Sequence, residues 1–114
     1  MPRSLTFIET EVFTKRIVKL VDDEIYAKLQ AELVSNPTKG NVIQGTGGLR
    51  KVRMAARGKG KRGGARLIYY YVLLADTIYM IFAYDKGEAD DLTSDQKKTL
   101  KILAQTLAEQ YRRT

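Results

Sequence analysis

Three cations, Lys51, Arg53 and Arg66, and the loop Arg57-Gly-Lys-Gly-Lys-Arg-Gly-Gly64 between them are the residues of this chain best suited to chemistry. Lys51 and Arg53 stand two apart, which in a strand puts both on one side. Arg66 opens the next β-rich segment. If the two segments pair around the loop, Arg66 comes near Lys51 or Arg53 across the ladder. Like charges opposed across a sheet repel, and an anionic ligand held between them removes that cost. The four loop glycines allow close approach of backbone to a phosphate, and Arg57, Lys59, Lys61 and Arg62 neutralise it. The chemistry on offer is therefore a grip on a phosphate backbone beside a strand-borne cluster able to stabilise added charge.

The charge distribution supports this. From Leu33 to Ala75, 43 residues, there is no Asp or Glu, while nine Lys and Arg fall in the window; the rest of the chain sums to minus two. The whole formal charge of +7 is thus local. A concentrated field of this kind calls for a polyanion, and RNA fits it best among nucleic acids and anionic membranes.

What the sequence lacks narrows the chemistry. Cys and His are both absent, which removes thiolate nucleophiles, disulfides and the commonest metal ligands. Catalysis must then use Lys, Arg, Tyr or carboxylates, with no metal and no cofactor expected. Asp85, Glu88, Asp90 and Asp91 cluster after the last β-rich segment, but their spacing fits no calcium loop, and acids ahead of a helix suit its dipole. Gly58-Lys-Gly-Lys-Arg-Gly63 matches G-x-G-x-x-G in form only, because a strand rather than a helix follows it. No stretch approaches the roughly 18 apolar residues of a membrane span, and the N-terminus lacks a signal-peptide core. A soluble, cytoplasmic protein with no membrane partner is expected.

Residues 1–114, with 44% hydrophobic and 29% charged residues, have the balance of one globular domain. Ser4 to Ile8 reads as a strand. Phe13, Ile17, Leu20 and Val21 then make an apolar helical stripe, and Ile25, Leu29 and Leu33 make a second one. Asp22 or Asp23 can cap this second helix, and Asn36-Pro37 ends it. After Gly45-Thr-Gly-Gly48 the period falls to two: Leu49–Ala56, Arg66–Leu73 and Thr77–Tyr84 read as three strands of an antiparallel meander. Thr93-x-x-Gln96 is a capping-box pattern opening a final helix with Leu100, Leu103, Ala104, Leu107 and Tyr111 on one stripe. The order β-α-α-β-β-β-α predicts an α+β fold, an antiparallel sheet with helices packed on one face. Tyr69, Tyr70 and Tyr71 must alternate faces. Tyr69 and Tyr71 belong with Leu67 in the core, which leaves Tyr70 as a candidate for stacking on a base.

The segments Gly45-Thr-Gly-Gly-Leu-Arg-Lys-Val-Arg53, Gly-Lys-Gly-Lys-Arg-Gly-Gly64, Arg66-Leu-Ile-Tyr-Tyr-Tyr71 and Tyr84-Asp-Lys86 through Asp91-Leu-Thr93 resemble the HigB branch of the RelE/ParE-like toxins. The resemblance covers nearly the whole chain, including the element order. It implies a RelE-like fold and a toxin of a type II toxin–antitoxin pair. It further implies an mRNA interferase that cuts mRNA in the ribosomal A site without metal, and a cognate antitoxin that commonly carries a helix-turn-helix domain. Lys51 and Arg53 resemble the pair of strand cations in RelE-type active sites, Arg66 the arginine opening the next strand, and Lys86 the lysine after the last strand. Two positions depart from RelE itself, which has an arginine where this chain has Gly87 and a tyrosine where it has Thr93.

Cleavage of RNA by its own 2′-hydroxyl requires proton removal, charge stabilisation at phosphorus and protonation of the leaving 5′-oxygen. Arg53 and Arg66 suit the phosphate, since arginine keeps its proton. Lys51, among like charges, is the candidate proton-transfer group, with Lys59, Lys61 and Lys86 as competitors. Two other functions fit the same residues: a ParE-like inhibitor of DNA gyrase, and an RNA-binding module without catalysis.

Overall fold

The computed structural model describes residues 4–58, 60, 64–88 and 92–112. The chain order is β1 (Thr6–Glu9), α1 (Glu11–Leu20), α2 (Asp23–Ser35), β2 (Asn41–Val42), β3 (Arg50–Met54), β4 (Ala65–Val72), β5 (Thr77–Asp85) and α3 (Ser94–Arg112). The strands form one sheet in the order β1-β5-β4-β3-β2.

Each helix begins where its sequence offers an acceptor to the unpaired amides of the first turn. Thr10 accepts from the Phe13 amide at 3.1 Å, and Asp22 from the Ile25 amide at 2.9 Å. At α3 the box is reciprocal: Thr93 Oγ1 accepts from the Gln96 amide at 3.1 Å, and Gln96 Oε1 from the Thr93 amide at 2.8 Å. Between β4 and β5 the chain reverses through a 3-10 turn, Leu73–Ala75, closed by Asp76 in the left-handed region at φ 45°.

The α+β class and the element order hold, with β2 as an added strand too short to leave a periodic signature. Two refinements concern how the layers meet. The sheet is mixed, because β1 pairs in parallel with β5 while β2, β3, β4 and β5 pair antiparallel in turn. The helices also occupy both faces. Phe13 and Ile17 of α1 and Leu29 and Leu33 of α2 bury Val52, Met54, Leu67, Tyr69, Ile78 and Met80. Ala104 of α3, with Leu100, Leu103 and Leu107 around it, covers Ile68, Ile81 and Tyr84 on the opposite side. An apolar stripe announces that a helix is buried, but not on which side of a two-sided sheet.

A bulge in β5 determines what the second face displays. Ile68 pairs with Phe82 but Tyr69 pairs with Met80, so Ile81 is the extra residue. The period of two therefore slips by one along β5. Ile78 and Met80 before the bulge and Ala83 after it share the α1/α2 face, and Tyr84 turns to the other, directly opposite Arg66.

Candidate functional site

The site is assembled from four separate stretches of chain. On β3, Val52 and Met54 are buried beneath α1 and α2, so Lys51 and Arg53 face the other way. Arg53 stands directly across from Arg66 on β4, and Arg66 directly across from Tyr84 on β5. Lys86, two residues beyond Tyr84, continues that side, and its amide donates to the Gly64 carbonyl at 2.9 Å, one hydrogen bond past the end of the ladder. Lys51, Arg53, Arg66 and Lys86 line one cleft of about 430 Å³ together with Lys39, Gly40, Asn41 and Val52. All four cations singled out in the sequence as catalytic candidates are thus brought together.

Burial sharpens the electrostatics. Arg66 is only 6% exposed, with Nη1 donating to the Ala65 carbonyl at 3.2 Å. A guanidinium so enclosed, opposite a second arginine, concentrates positive potential at the cleft floor with little water to screen it. An anion entering the cleft gains most at this rung.

The far wall is a loop that the sheet holds by a buried tyrosine. Tyr69 is fully buried, and its hydroxyl accepts from the Gly40 amide at 2.9 Å and donates to the Pro37 carbonyl at 2.8 Å. Burial raises the pKa of this hydroxyl, against smaller opposing effects from the Gly40 amide and the Arg50 charge. Arg50 completes the hold, donating to the carbonyls of Gly40 at 2.7 Å and Thr38 at 3.2 Å. Gly40 is required by space: a Cβ there would lie 3.0 Å from both the Lys51 carbonyl and the Tyr69 ring. Through this arrangement Lys39 and Asn41 reach the rim. Neither was a site candidate in the sequence, where Lys39 counts only among the nine cations of the acid-free run and Asn41 carries no signal.

The remaining candidates are placed differently. The Arg57 guanidinium turns to the end of α1, donating to the carbonyls of Val18 at 3.1 Å and Val21 at 3.4 Å. It caps a helix C-terminus there, and it does not line the cleft. Lys59, Lys61 and Arg62 lie outside the described residues, as do Asp90 and Asp91 of the acidic cluster. Tyr70 is half-buried and packs with the α3-side cluster, away from the cleft lining. Within the described residues, no three carboxylates converge as metal ligands would.

A family model described as the RelE toxin of the RelE/RelB toxin–antitoxin system matches residues 10–113. Among solved structures, the isolated Escherichia coli RelE toxin is similar at 17% identity and TM-score 0.58, covering 88% of this chain and 99% of that one. RelE in the intact E. coli RelBE toxin–antitoxin complex gives 19% identity and TM-score 0.58, over 72% of this chain and 96% of that one. An archaeal RelE–RelB complex from Pyrococcus horikoshii gives 17% identity and TM-score 0.55, over 76% and 100%. At these identities the solved structures establish the shared fold, and with the family match over almost the entire length, this chain belongs to the RelE toxin family of toxin–antitoxin systems.

Proposed function

We propose that this chain is a ribosome-dependent mRNA endonuclease of the HigB type, acting in the cytoplasm on mRNA in the ribosomal A site and restrained by a cognate antitoxin with a helix-turn-helix domain. The observation that carries the reading is the convergence of Lys51, Arg53, Arg66 and Lys86 on one cleft of about 430 Å³, wide enough for a nucleotide and its phosphate.

In the proposed reaction the 2′-hydroxyl loses its proton, the 2′-oxygen attacks the adjacent phosphorus, the bond from phosphorus to the 5′-oxygen breaks, and that oxygen takes up a proton. Arg53 and Arg66 hold the scissile phosphate and stabilise its added charge; as fixed, permanently charged donors they need no reorganisation during the step. Lys51 is the proton-transfer candidate, and Lys86 approaches the same phosphate from the turn after β5. Lys39 and Asn41 border the nucleotide from the opposite wall. The solved complexes of E. coli and P. horikoshii toxins with RelB support an antitoxin partner for this chain too.

The test is to induce the protein in bacteria and map mRNA 5′ ends on translating ribosomes. Codon-phased cuts are the expected result. DNA damage with intact mRNA would identify a gyrase inhibitor instead, and neither effect would identify a binding module.

A further inference from the structure

An arginine of α1 that the proposed reaction does not use, Arg16, reaches the sheet edge at β5. Strand β1 ends its pairing with β5 at Glu9 and Met80, so the β5 carbonyls beyond that point have lost their neighbour strand. Buried-edge carbonyls need donors. Side chains supply them here: Thr10 Oγ1 donates to the Ile81 carbonyl at 2.8 Å, and Arg16 Nε donates to the Ala83 carbonyl. The same guanidinium reaches further with Nη2, which lies 3.2 and 3.3 Å from the two carboxylate oxygens of Glu88. It also stacks over the Phe82 ring, 5.0 Å from its centroid.

These contacts bracket Lys86. Ala83 lies three residues before it and Glu88 two after it. The intervening turn is closed from inside by Asp85, whose carbonyl accepts from the Glu88 amide at 2.9 Å and whose Oδ1 accepts from the Gly87 amide at 2.7 Å. On the other side the Lys86 amide is tied to Gly64. We infer that Arg16 is a positioning residue: its guanidinium bridges β5 at Ala83 and the turn that follows the strand, and so fixes where Lys86 enters the cleft. The planar guanidinium carries its donors on separate nitrogens, so Nε and Nη2 hold the carbonyl and the carboxylate in one fixed relation, which a freely rotating ammonium on a flexible stem does not impose. Holding a charged group to within a fraction of an ångström matters because small displacements of a catalytic contact are costly.

The inference rests on the proposed reaction for its consequence but not for its geometry, and the test separates the two. Amide hydrogen exchange is measured on wild type, Arg16→Ala and Glu88→Gln. Protection at Lys86 and Glu88 is expected to fall by roughly tenfold in both variants while that of Ile68 in β4 is unchanged. Uniform loss at all three amides, or no loss at Lys86, overturns the inference whether or not the protein cuts RNA. In the cleavage assay Arg16→Ala should lower activity roughly tenfold in the wild-type background, and less than about twofold when Lys86 is already alanine. An equal loss in both backgrounds shows that Arg16 does not act through Lys86 and overturns the inference. If wild type cuts no mRNA, the proposed function falls, and the exchange result alone decides the role of Arg16.

Discussion

On the face of the sheet that carries α1 and α2, Val52, Met54, Leu67, Tyr69, Ile78 and Met80 are all buried, whereas on the opposite face burial under α3 runs through Ile68, Ile81 and Tyr84 and then gives way to the Arg53–Arg66 rung. One face is given wholly to stability. The other is divided, with α3 covering one part and leaving the cationic cleft open. A chain of this size can carry a cluster of like charges because two helices on the far side supply a core that owes nothing to the cleft. Stability and function are therefore separable by face, and substitutions can break or refine that separation.

The largest effect is expected from Phe13→Ala. Phe13 is fully buried against the apolar face, with its ring 5.8 Å from that of Tyr26, and truncation of such a ring costs about 3–5 kcal/mol. Denaturant unfolding should show most of the chain's stability gone. Next comes Arg66→Ala, which should reduce mRNA cleavage by about 100- to 1000-fold and abolish growth arrest, with the unfolding midpoint unchanged or slightly raised, since one of two opposed cations is removed. Wild-type toxicity in this variant would sink the assignment of the cleft. A midpoint that fell as far as that of Phe13→Ala would show that the faces are not separable.

Tyr69→Phe probes the boundary, because the ring belongs to the apolar face and the hydroxyl holds the loop carrying Lys39 and Asn41. Loss of the hydroxyl leaves the Gly40 amide without its acceptor, at about 1–3 kcal/mol, and cleavage should weaken along with stability. The same hydroxyl gives a pH signature. Burial raises its pKa from the ordinary 10.0, so the unfolded chain loses this proton first as pH rises. Stability from this group is then complete below pH 10.0 and is lost above it. In Tyr69→Phe the alkaline loss should be shallower, measured as melting temperature against pH.

How far the sequence revealed these features follows from whether the signal was local. The caps at Asp22 and Thr93-Gln96 were legible because a cap is made within three or four residues of itself. The sharing of one side by Lys51 and Arg53 was legible because a strand alternates, and Arg66 because it opens the strand paired to theirs. The parallel pairing of β1 to β5 was not, since it joins residues some seventy positions apart with no local trace. Nor was the side of the sheet chosen by α3. Arg57 belongs to the acid-free run yet is spent on the α1 C-terminus, because a carbonyl end 36 residues away leaves no mark on the composition around it. Arg16, on a half-buried helix position among other charges, had no sign of its own.

The extra residue at Ile81 makes β5 a strand of two frames. Up to Met80 its inward positions answer to α1 and α2; from Phe82 onward the parity is inverted, so that Tyr84 turns to the α3 side and Lys86, just past the strand's end, to the cleft. Because the inversion happens at a single point, the two frames can vary independently: the core half can drift among apolar residues without re-aiming the cleft half. The cleft half can exchange its charges without opening a hole in the core. A scaffold arranged in this way can change what its cleft holds while folding as before.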